Sequence, residues 1–108
     1  MIHATAYGSL EHDARFHKRT ADQESLTTFI LRVLGRGAEH GSTTYIRCSI
    51  GGRYGERMAP SLNKGKRVLI GGPLALRERA DGQQYLTMRL QTLEFLDPSP
   101  RGRDVEEE

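Results

Sequence analysis

Residues 43–70, "TTYIRCSIGGRYGERMAPSLNKGKRVLI", hold two apolar runs separated by a segment of different character. In the first run Ile46, Cys48 and Ile50 share one face while Tyr45, Arg47 and Ser49 share the other. That period of two is the pattern of a half-buried strand. Residues 53–65, "RYGERMAPSLNKG", carry the chain's one helical pattern. Gly55 and Pro60 keep it short, and Asn63 to Gly65 end it. "KRVLI" then begins another strand. Strand, short helix, strand is therefore the order at the centre of the chain.

Outward from this segment the pattern stays that of strands. Upstream, "IHATAYGSL" (2–10) makes a first strand with a kink at Gly8, and "SLTTFILRVL" (25–34) sets Phe29, Leu31 and Val33 opposite Ile30 and Arg32. Downstream, "KRVLIGG" and "PLALRER" read as a strand pair interrupted at Gly71, Gly72 and Pro73. In "QYLTMRL" (84–90), Leu86, Met88 and Leu90 oppose Tyr85, Thr87 and Arg89, and the change of phase to Leu93 and Phe95 predicts a bulge or bend. "TADQES" is a polar loop, "GRGAEHGS" a glycine-rich one, and the Asp81-Gly82 pair suits a tight hairpin turn. About five strands with one short helix between the third and fourth is the element order of an all-β OB-fold, a five-stranded Greek-key barrel. The helix after strand three argues against an SH3-like barrel.

A chain of 108 residues, 36% hydrophobic and 28% charged, suits one domain with a modest core. No run is long enough to span a membrane, and the N-terminus lacks a charged, apolar leader, so a cytoplasmic protein is expected. Residues 1–97 carry 14 Lys/Arg against 10 Asp/Glu, whereas 98–108, "PSPRGRDVEEE", carry 2 against 4. The expected division is an OB domain over 1–97 and a flexible acidic tail over 98–108, which has too little apolar surface to offset its ordering entropy. The single cysteine, Cys48, excludes an internal disulfide and reads as a small buried thiol.

Catalytic and cofactor motifs fail on inspection. A phosphate-cradling loop would need Gly-Lys-Ser/Thr, but Gly65-Lys66 is followed by Arg67. "GRGAEHG" is one residue too long for a dinucleotide fingerprint and precedes a strand rather than a helix. His12 and His17 have no second ligand pair, and "ARFHKR" reads as an exposed strand. Ser42, Ser49 and Ser61 lack an arranged base. No enzyme, cofactor or metal site is indicated. The outward strand faces are more informative. Tyr45 with Arg47, then Arg53, Lys64, Lys66, Arg67, Arg77 and Arg79, combine cations with a flat ring, as surfaces that bind single strands do. The same arginines also suit an ordinary solvated sheet.

Taken in order, "YIRCSIGGRYGERMAPSLNKGKRVLIGGPLALRERADGQQYLTMRLQTLEFLD" resembles bacterial single-stranded DNA-binding proteins. In that family a Trp-His-Arg strand leads into a glycine-started helix, a Lys-Gly turn, a "V-x-I-E-G-x-L" strand, an Arg-rich arm and a last strand. Upstream, "GSLEHDARF" and "SLTTFILRV" are similar to the family's first segments. The resemblance implies non-catalytic binding of single-stranded DNA in replication, recombination or repair. It also implies a homo-oligomer, tetramer or dimer, with replication or repair proteins as further partners. By position, Tyr45 takes the place of a stacking tryptophan and Arg47 a basic position beside it. Arg53 and Lys64 match phosphate-contacting positions flanking the helix, and Arg77 a basic position on the arm. Arg79 stands where the arm's tryptophan is expected, Gly51 replaces a phenylalanine, and the chain has no tryptophan. The acidic tail lacks the family's apolar tip. The short, aromatic-poor chain also resembles the primosomal replication protein B group, helicase-loading accessories. A protein-interaction OB module with little nucleic-acid affinity is the remaining alternative.

Overall fold

The computed structural model describes residues 1–18, 24–34 and 43–96. The glycine-rich loop, most of the polar loop and the acidic tail anticipated above lie outside them. The elements are β1 (Ile2–Leu10), β2 (Arg15–His17), β3 (Leu26–Leu34), β4 (Thr43–Gly51), α1 (Gly52–Met58), a 3₁₀ turn (Ala59–Ser61), β5 (Arg67–Glu78), β6 (Gln84–Arg89) and β7 (Thr92–Phe95). The sheet runs β1-β3-β4-β6-β5, and β1 pairs again with β5 to close a ring of five strands. Every pairing in the ring is antiparallel except β4 with β6, which are parallel. This is the OB barrel expected from the element order, with β2 added beside β3 and β7 beside β5.

The alternations define its inside. Phe29, Leu31, Ile46, Cys48, Ile50, Val68, Ile70 and Met88 are buried, each at most 5% exposed. Removing such side chains from water is the main force holding the strands together, at roughly 1.5–3 kcal/mol for each large one. Leu62, fully buried, follows the 3₁₀ turn and closes one end of the barrel. Backbone bonds stitch that end: Ala14 N donates to Leu62 O at 2.8 Å, Leu10 N to Lys66 O at 3.0 Å and Gly65 N to Leu10 O at 2.9 Å. The short helix expected within 53–65 is present. It stops at Met58, because Pro60 has no N–H to continue the ladder and the chain tightens into a 3₁₀ turn instead.

Two expectations are corrected. "KRVLIGG" and "PLALRER" are not a strand pair but one strand, β5, twelve residues long. On one side of it Val68–Gly71 pair with β7 and Leu74–Glu78 with β6. Gly72 and Pro73 fall at the switch between these neighbours, where that side of the ladder has no partner and a proline is tolerated. Gly72 is also pressed against the end of β6, since a Cβ there would lie 2.2 Å from the Arg89 carbonyl oxygen. Nor does Asp81-Gly82 form a two-residue turn, which would need positive φ at Asp81. The hairpin is longer: Gly82 N bonds Arg79 O, Arg79 N bonds Gln83 O, and only Gly82 is left-handed, at φ 90°. Asp81 Oδ1 accepts from Gln83 N at 2.9 Å and steadies it. The anticipated bend after β6 is present: the ladder breaks at Leu90–Gln91 before β7 begins.

Candidate nucleic-acid interface

The outward residues of β2, β3, β4, β6 and β5 fall into transverse rows fixed by register. One row runs Arg15–Thr28–Ser49–Arg89 across four strands. The next runs Ile30–Arg47–Thr87–Ala75. At the hairpin end Arg32 pairs with Tyr45, and Tyr85 pairs with Arg77 on the far side. Side chains alternate across a sheet, so these rows face away from the core that Ile46, Cys48 and Met88 fill. The result is a polar floor of Thr28, Ser49 and Thr87 with guanidinium groups around it.

Three open depressions mark this face, and they share residues. The largest, about 540 Å³, lies over Thr28, Arg47, Ser49 and Thr87 and reaches His12 and Arg15. A second, about 320 Å³, continues from Ile30 and Arg47 past Tyr45 and Tyr85 to Arg79. A third, about 370 Å³, continues from His12 and Arg15 to Lys64. Together they make one track from the β5–β6 hairpin, across the strands, to the turn after the helix. Within it the Arg47 guanidinium carbon sits 4.4 Å from the centroid of the Tyr85 ring, a cation–π contact. Asp13 Oδ1 accepts from Lys64 N at 2.7 Å, fixing the turn that carries the lysine. His17 Nε2 hydrogen-bonds Thr28 Oγ1 at 3.2 Å, tying β2 to β3.

Of the six positions that the family resemblance singles out, Tyr45, Arg47, Arg79 and Lys64 line this track. Arg77 is exposed beside Tyr85, at the edge of the same face. Arg53 lies elsewhere, on α1, in a depression with Glu56, Arg57 and Pro60. The structure adds Arg15, Arg89 and Tyr85 to the face. Alternation already placed Tyr85 and Arg89 outward, but nothing in the pattern showed that β6 lies beside β4. Cys48 is 2% exposed, and burial pushes its thiol up to about 12 from 9.0, which disfavours the reactive thiolate. Among the described residues no three His, Cys, Asp or Glu side chains are grouped to hold a metal ion, and no helix is long and apolar enough to cross a membrane.

A five-stranded barrel closed in this order defines an oligonucleotide- and oligosaccharide-binding domain. The sequence model of the Single-strand binding protein family matches residues 1–96, and the chain belongs to that family. Its fold is shared with the crystal structure of a small single-stranded DNA-binding protein from Streptomyces coelicolor, at a TM-score of 0.74 and 18% identity over 87% of this chain and 93% of that one. No curated protein sequence gives a significant match.

Proposed function

We propose that this protein binds single-stranded DNA, without catalysis, along the track from Arg79 to Lys64. The observation that carries the reading is the continuity of the three depressions through Arg47 and Arg15. Phosphates sit against Arg79, Arg47, Arg15 and Lys64, while Tyr45 and Tyr85 offer the flat surfaces on which bases stack. Arg77 adds charge at the edge, and Arg53 contacts only a strand that passes on around the helix. Family membership supports a role in replication, recombination or repair and self-assembly as a dimer or tetramer. The test is fluorescence anisotropy of a labelled dT oligomer across salt, beside duplex and RNA controls, with light scattering for the oligomeric state. Four phosphate contacts give a slope of log K against log salt of about −2.8. Absence of binding at low salt, or equal binding to duplex, overturns the reading.

A further inference from the structure

Arg89 closes the row that begins at Arg15, yet its guanidinium is already occupied. Its Nη2 lies 3.4 Å from Glu24 Oε1. The backbone beneath this pair is two glycines. A methyl group on Gly51 would sit 2.6 Å from Glu24 Oε1 and 3.3 Å from Arg89 Nη2, and one on Gly52 would sit 2.7 Å from Glu24 Oε2. The carboxylate of Glu24 thus rests where side chains at 51 and 52 would otherwise stand, with one oxygen directed at a cation of the binding face.

We infer that Arg89 is a phosphate-binding residue of this face and that Glu24 holds its place as an internal substitute for a phosphate. The inference rests on the functional reading above and adds to it a residue that limits affinity. The ion pair is long, and both side chains are well exposed, at 67% and 58%. Such a contact is weak and screened, so an incoming phosphate exchanges with the carboxylate readily. A strand that takes Arg89 must displace Glu24, and Glu24 competes to take it back. Binding is thereby made weaker and release faster than the arginine count alone would set.

The experiment is the salt titration with dT on full-length variants. Glu24→Gln is expected to steepen the slope of log K against log salt by up to about 0.7, the value for one full single-strand phosphate contact, because the Arg89 contact that the carboxylate contests becomes complete. The affinity advantage over the unaltered protein then grows by up to about 2.6-fold between 200 and 50 mM salt. Gly51→Ala leaves all charges in place and, at φ −91°, fits its backbone. Its methyl displaces the Glu24 carboxylate, so it should reproduce the steeper slope. Arg89→Ala alone should weaken dT binding, and combined with Glu24→Gln it should cancel the gain. Glu56→Gln on the helix, which removes the same charge away from the face, controls for net charge. An unchanged slope in Glu24→Gln while the unaltered protein binds overturns the inference and leaves the functional reading standing. So does a gain that survives Arg89→Ala or is matched by Glu56→Gln. Failure of the unaltered protein to bind overturns both.

Discussion

Arg47 can act on a nucleic acid in two ways, and its contact with Tyr85 separates them. A guanidinium 4.4 Å from a ring centroid extends the flat surface of the phenol as well as supplying charge. Lysine keeps the charge but loses the plane. Arg47→Lys is therefore expected to retain the salt slope while losing about tenfold in dT affinity, and Tyr85→Ala to do the same, within the range of one lost stack. If Arg47→Lys binds as tightly as the unaltered protein, Arg47 is only a point charge. Cys48 makes a different prediction. Its thiol stays protonated in the barrel up to about 12 but ionises near 9.0 when the chain unfolds. Its contribution to stability is constant below about pH 9 and declines above it as the unfolded state gains the thiolate, by at most about 1.4 kcal/mol per pH unit. Urea midpoints measured from pH 8 to 10.5 should fall faster for the unaltered protein than for Cys48→Ala. Parallel curves would show that the thiol is not buried.

Among the elements, β5 shows where reading the chain in one dimension stops. The alternations of β3, β4 and β6 were legible because each shows one face to a core and one to water throughout. β5 changes neighbour at Gly72 and Pro73, and in a sequence such a switch has the same residues as a turn. The hairpin after it was legible as a turn but not in length, since Asp-Gly serves both a two-residue loop and a longer one ending in left-handed glycine. The crowding at the switch has a measurable cost. A Cβ at Gly72 meets a backbone carbonyl, which cannot swing aside as a side chain would. Gly72→Ala should lower the urea-unfolding free energy by about 1–3 kcal/mol or more. A neutral substitution would mean that β5 and the end of β6 separate more easily than their packing indicates.

For the whole molecule, the barrel was easier to read than the face proposed to bind DNA. Strand order along the chain implied the fold, and basic residues could be picked out one by one. Yet the rows that assemble the face join residues 15, 28, 49 and 89, and only the parallel pairing of β4 with β6 brings the last two together. The proposed interface therefore takes in Arg15, Tyr85 and Arg89, which the strand pattern alone does not bring together, and Arg53 lies on the helix beyond the track. The double pairing of β1 has a kinetic meaning as well. Nearly all of β1 finds its partner in residues 67–74, and only Ser9 and Leu10 pair with β3. Contacts so distant along the chain slow folding, because the loop between them must close first. A chain ending at residue 66 should show no cooperative thermal transition by far-UV circular dichroism; a sharp one would mean that β1 has a nearer partner. During synthesis from the N-terminus, β1 leaves the ribosome before its partner and must then wait, its edge unpaired, until most of the domain has followed it out.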